Sequence, residues 1–228
     1  MFFEQFLDQA SSYAANVDLL FMVITIVVGI WFIMTEGVFF YLMARYAHKE
    51  GQNAIYMTGD GHEKHWVHIP HYLVIVCDVV LIAGAIIVWN QIKIDRPEAE
   101  SKIRVIGQQW AWTFVHPGPD NVLDTDDDII KIDELHVKKG ITYHFELQAK
   151  DVLHSFFVPV FRLKQDAVPG RTITGWFRPI KSGEYDIVCA EMCGIGHGIM
   201  AARLFIEDED MHQFWLEQNA TTPLASNE

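Results

Sequence analysis

Seventeen consecutive residues, Leu19 to Thr35, carry no charge, and after Glu36 the apolar run resumes as GVFFYLMA up to Arg45. A stretch of that length and composition is enough to cross a bilayer as one helix, spanning about residues 19–44. A second span, about 69–92, is interrupted by Asp78 and ends at the charged, proline-containing segment KIDRPEAE. Two such helices in succession predict a transmembrane hairpin over residues 19–93, preceded by an external segment 1–18 and followed by a linker at 94–101. Lys and Arg accumulate on the cytoplasmic side of membranes. The head before the first span has Glu4, Asp8 and Asp18 and no Lys or Arg, whereas the loop between spans holds Arg45, Lys49 and Lys64. Both termini are therefore expected outside. The head lacks the basic region and small-residue cleavage site of a removable signal, so the first span is expected to be retained.

Past residue 96 the period changes. Apolar residues alternate at Trp110, Trp112 and Phe114, at Ile141, Tyr143, Phe145 and Leu147, and at Tyr185, Ile187 and Cys189. This is the pattern of strands with one buried face. Turn signals HPGPD, VKKG, VPGR and KSGE separate them at the spacing of an antiparallel sandwich or barrel over residues 102–228. Near the end, Met211, Phe214 and Trp215 stand at helical spacing behind an acidic first turn, predicting a short C-terminal helix.

The chemistry concentrates in CAEMCGIGHGIM, residues 189–200, which holds two of the three cysteines. A disulfide is the default for paired cysteines in an oxidising compartment. Here it would close a ring too small to add much stability, and the same loop also offers His197 and Met200. Thiolate, imidazole and thioether together select copper or another thiophilic metal, not calcium or magnesium. One electron-transfer copper needs two histidines, one cysteine and a weak thioether. The second thiolate exceeds that need and can bridge a second metal. Zinc would accept two cysteines and two histidines. Upstream, DVLHSFFVP supplies His154.

In order and spacing, DVLHSFFVP, KQDAVPGR and CAEMCGIGHGIM resemble the dinuclear copper (CuA) domain of subunit II of haem-copper cytochrome c oxidases. The match extends to the hairpin and to GQQWAW. The resemblance implies a cupredoxin-like Greek-key barrel behind the two-helix hairpin. It implies that Cys189 and Cys193 bridge two coppers, with His154, His197, Met200 and the backbone carbonyl of Glu191 as further ligands. It implies that the Glu191 side chain binds a magnesium or manganese ion at the interface with the catalytic subunit, near Asp151, and that Trp110 receives the electron from cytochrome c. Ala111 departs from the aromatic residue common at that position. EKHWVHIP resembles a segment before the second helix in which Glu63 stands at the mouth of a proton-uptake path and Trp66 anchors at the interface.

The implied partners are cytochrome c, the haem-containing subunit I, further oxidase subunits and membrane lipid, in a bacterial plasma membrane. No nucleic-acid partner is expected. From residue 96 onward 13 Lys and Arg face 21 Asp and Glu, a net charge of −8, densest in DTDDD at 124–128. An acidic face steers a basic partner; an ordinary solvated loop is the competing reading, and Ile129 excludes an EF-hand. Competing functions are a quinol oxidase subunit, which lacks copper ligands, a CuA subunit of a nitric oxide reductase, nitrous oxide reductase, which needs a large further domain, and a copper-delivery or zinc-stabilised module. Glu36 and Asp78, acidic groups within the spans, are expected to face a partner subunit. Cys77 is expected to be an inert buried thiol. The histidines of the inter-span loop and its edge, His48, His62, His65, His68 and His71, are read as titratable interfacial groups without a metal.

Overall fold

The computed structural model describes residues 8–53, 58 and 61–220, and divides into two compact units. The first helix, α1 (Ala14–Arg45), begins five residues before the expected span. The reason is local: Ala14 and Ala15 favour helix, and the Ala14 N–H bonds the carbonyl of Ser11 to close the first turn. The second, α2 (His65–Trp89), runs into a wider turn at Asn90–Ile94. Both are long and apolar enough to cross a membrane. In the unit spanning Asn16–Asn90, the Trp31 indole N–H points at Cys77 Sγ, 3.3 Å away. A Cβ on Gly84 would sit 3.4 Å from the Leu20 side chain, so a small residue permits close helix approach there. Cys77 is thus an interhelical contact. Glu36 is half-buried and Asp78 is exposed. The side chains of Glu63 and Trp66 lie outside the described residues, although Glu63 belongs to a single 3-10 turn, His62–Lys64.

The other unit is a sandwich of two five-stranded sheets. One sheet is ordered β3 (Ile129–Ile132), β2 (Ala111–His116), β1 (Ser101–Gln108), β5 (Tyr143–Ala149) and β8 (Ile173–Phe177). Its partner is ordered β4 (Glu134–Lys138), β10 (Ala201–Glu207), β9 (Gly183–Cys189), β6 (His154–Val158) and β7 (Leu163–Ala167). The sheets are not purely antiparallel as the turn pattern suggested. β1 runs parallel to β5, and β4 parallel to β10. Three intervening strands separate β1 from β5 in sequence, and this crossover between sheets produces the cupredoxin-like Greek-key arrangement.

Alternation along β1, with Ser101, Ile103, Val105 and Gly107 inward, supplies one wall of the core. Phe156 of β6 stands at its centre, with ring centroids 5.6 Å from Trp112, 5.9 Å from Phe145 and 6.3 Å from Phe114. The short helix α3 (Glu209–Asn219) buries Trp215 but leaves Met211 and Phe214 exposed, so its apolar face is narrower than the spacing suggested.

Two further segments dock on this sandwich. Ala10, Ser11 and Tyr13 are buried: Ser11 bridges to Pro179, Ser11 Oγ donates to the Phe161 carbonyl, and the Tyr13 ring meets Trp176 edge-on at 5.2 Å. The segment after α2 is pinned by Lys93 to Gln165 (2.8 Å), by the Trp176 indole to the Ile92 carbonyl (2.8 Å), and by Arg96 to Thr174 (2.8 Å). It behaves as part of the domain instead of a free linker.

Candidate metal centre

Three elements converge at one end of the sandwich. β9 ends at Cys189, whose register partner on β6 is Phe156, two residues after His154. The loop 190–200 is closed at its base, where the Cys189 N–H bonds the Met200 carbonyl and the Ala190 N–H bonds the Ser155 carbonyl. Within it, Gly194 has φ +120°, a backbone region that only glycine occupies readily, and a 3-10 turn, His197–Ile199, points His197 back inward. The third element is the β1–β2 turn at Gln109–Trp110. Trp110 therefore stands on a turn, not within a strand, and is more than one-third exposed.

The loop's donors meet as a cluster. Cys189 and Cys193 sulfurs are 3.8 Å apart, far beyond the roughly 2.05 Å of a disulfide. His154 Nδ1 lies 4.0 Å from Cys189 Sγ, and His197 Nδ1 lies 3.6 Å from Cys193 Sγ. Met200 Sδ is 3.7 Å from Cys193 Sγ, and the Glu191 carbonyl is 3.3 Å from Cys189 Sγ. One ligand atom each from His154, Cys189 and Cys193 falls within 4.8 Å of the others. His154, Cys189, Cys193 and Met200 are buried, whereas Glu191 and His197 are half-buried.

The donor set fits a soft metal such as copper. With metal–sulfur bonds of about 2.3 Å, two sulfurs 3.8 Å apart can both ligate a soft ion. An imidazole nitrogen faces each thiol, and the Met200 thioether and the Glu191 carbonyl stand beside them as further donors. Burial pushes the Cys193 thiol up to about 11, and the adjacent Cys189 thiol adds to the shift. Metal binding here must therefore displace thiol protons.

The surrounding residues hold the donors. Gln109 Nε2 donates to the Cys193 carbonyl at 2.8 Å, and the Trp110 indole N–H donates to the same oxygen at 3.2 Å. A Cβ on Gly196 would collide with the Trp110 ring, so the indole lies directly on the loop. His154 Nε2 bonds Asp151 Oδ1 at 2.8 Å. Burial raises the Asp151 carboxyl, but donors from Gln109, His154 and Val152 outweigh it and hold the group below the usual carboxylate range.

Gln109 escaped the sequence reading. Its position, two residues before the strand that carries Trp112, gave no signal of a contact more than eighty residues away. Asp151, expected near a magnesium or manganese ion, is engaged with His154. Its placement three residues before His154 was the available signal. The acidic run is partly self-engaged: Arg104 forks onto Asp124 (2.7 and 2.9 Å), Thr125 bonds Asp127 at 2.6 Å, and Asp128 accepts from the Asp124 N–H.

A β-sandwich with a soft-metal loop at one end, following two membrane-length helices in the chain, defines a membrane-anchored cupredoxin-like protein. Residues 101–206 match the family described as cytochrome C oxidase subunit II, periplasmic domain. The chain is 33% identical over 224 residues to the alternative cytochrome c oxidase subunit 2 of Bradyrhizobium diazoefficiens, covering 86% of this chain and 79% of that one. It is 41% identical over 125 residues to cytochrome c oxidase subunit 2 of Thermostichus vulcanus, covering 54% of this chain and 35% of the relative. Among solved structures, the periplasmic domain of subunit II of cytochrome oxidase of Bradyrhizobium japonicum is similar, with 25% identity and a TM-score of 0.49, covering 54% of this chain and 95% of that one. The chain belongs to the cytochrome c oxidase subunit II family.

Proposed function

We propose that this chain is the electron-accepting subunit of a proton-pumping cytochrome c oxidase, taking electrons singly from cytochrome c and passing them to haem in subunit I. The observation that carries the reading is the clustering of two thiols, two imidazole nitrogens and a thioether in successive close contacts, with the Trp110 indole hydrogen-bonded to the Cys193 carbonyl. Two copper ions held there would take up and pass on one electron with little rearrangement of their ligands. His154, Cys189, Cys193, His197, Met200 and the Glu191 carbonyl would hold them. The buried sulfurs and the closed loop base exclude water and keep the ligands fixed. Trp110 presents an exposed ring whose N–H reaches the carbonyl of Cys193, giving the electron a path of one hydrogen bond into the ligand loop. Glu191, half-buried, leaves its carboxylate as the candidate for a magnesium or manganese ion beside subunit I. Glu63 stands as the candidate carboxylate at a proton-uptake mouth. Both termini lie outside a bacterial plasma membrane in this reading.

The test is stopped-flow electron uptake from reduced cytochrome c by the copper-loaded full chain. Trp110→Phe is expected to slow uptake about tenfold, equivalent to ~1.4 kcal/mol in barrier height, with copper content unchanged. An unchanged rate would remove Trp110 from the path.

A further inference from the structure

One carboxylate touches both halves of the site. Asp151 Oδ2 accepts from the Gln109 backbone N–H at 2.7 Å, and Oδ1 accepts from His154 Nε2 at 2.8 Å and from the Val152 N–H at 2.7 Å. Gln109 immediately precedes Trp110, and its side chain holds the Cys193 carbonyl. The other face of the His154 ring is fenced: a Cβ on Gly107 would come within 3.0 Å of His154 Cδ2, and Trp112 meets the imidazole edge-on at 6.0 Å.

We propose that Asp151 is a positioning residue that fixes the His154 tautomer for metal binding and ties the turn bearing Trp110 to that same ligand. An ionised carboxylate only accepts hydrogen bonds. The proton of a neutral imidazole facing it must therefore sit on Nε2, which leaves Nδ1 bare toward Cys189 Sγ. Carboxylates that orient ligand histidines in this way commonly set metal affinity and ring orientation together. The second oxygen does separate work, because it holds the backbone of the turn on which the indole stands. Asparagine cannot replace both functions. It offers one oxygen and one NH2, so a donor opposes a donor at either His154 or Gln109, whichever way the amide is turned.

This inference rests on the copper reading above, and the test separates the two. Wild-type, Asp151→Asn and Asp151→Ala full-length chains are loaded with copper in detergent. Three quantities are compared: copper retained against a chelator, the nitrogen hyperfine coupling in the electron paramagnetic resonance spectrum, and the melting of the metal-free chain. Both variants are expected to hold copper about 10- to 100-fold more weakly, with altered nitrogen coupling and metal-free melting close to wild type. Unchanged retention and coupling would overturn the proposal. Copper loss that only parallels a fall in metal-free melting would also overturn it, marking Asp151 as a residue of the fold. A wild-type chain that takes up no copper pair would overturn the parent reading, and this one with it, before any variant is compared.

Discussion

The two ends of strand β2 both gather histidines, and they use them in opposite ways. At the Trp110 end, His154 spends one ring nitrogen on Asp151 and aims the other at a thiol. At the other end, some 17 Å along the strand at about 3.4 Å per residue, His116 has both ring nitrogens engaged. Nδ1 meets the Ile129 carbonyl at 3.3 Å, and Nε2 accepts the His136 backbone N–H at 3.0 Å. Glu207 then joins His136 and His212, at 2.8 and 2.9 Å. The His136 ring is stacked between Phe205 (4.5 Å) and Trp215 (4.4 Å). A histidine whose nitrogens are satisfied by carbonyls and carboxylates supports the fold, while one with a nitrogen facing sulfurs is a candidate ligand. Residue type alone does not separate them; neighbours do.

The largest way to break the structural end is to remove its aromatic lid. Trp215 touches His116, His136 and His212. Trp215→Ala is expected to cost about 3–5 kcal/mol in denaturant unfolding of the β domain, while copper uptake by the folded chain stays at wild-type level. Loss of copper from the folded variant would show that the two ends are not independent.

A smaller effect sharpens the same contrast through pH. Burial, with His136 adding, pushes His116 down to about 3. The unfolded chain therefore binds the proton first, below about 6.5, and stability contributed by the neutral ring is fully present above that pH and lost as pH falls toward 3. Glu207 acts lower. Burial raises its carboxyl, but bonds from His136 and His212 hold it below the usual range, so its contribution fades only under about pH 4.5. The window from 6.5 to 4.5 thus isolates His116 from Glu207, with an expected loss of about 2–3 kcal/mol. His116→Gln should flatten the pH dependence of melting there. An equally steep profile in the variant would remove His116 as its source.

The same contrast explains what the sequence made legible. The uncharged runs marked both helices, because crossing a membrane is a local demand on length and polarity. The candidate loop was legible because Cys189, Cys193, His197 and Met200 lie within twelve residues, while the Glu191 carbonyl was implied only by the family resemblance. What stayed hidden depends on contacts distant in sequence. The parallel pairing of β1 with β5 cannot be read from alternation, which is the same for either strand direction. His116, His136 and His212 share no spacing in the sequence, and only the packing of β2, β4 and α3 brings them together. The docking of Ser11 and Arg96 on the sandwich had no periodic signal, and Met211 and Phe214 shared the spacing of Trp215 without sharing its burial.

In the proposed function the thiol end holds two coppers acting as one electron acceptor. The most direct measurement of this is copper stoichiometry together with the electron paramagnetic resonance spectrum of the loaded full-length chain, wild type beside Cys193→Ser. About two coppers per chain sharing one unpaired electron are expected, with that signal lost in the variant. One copper with hyperfine splitting from a single nucleus, or tightly held zinc with no signal, would contradict it.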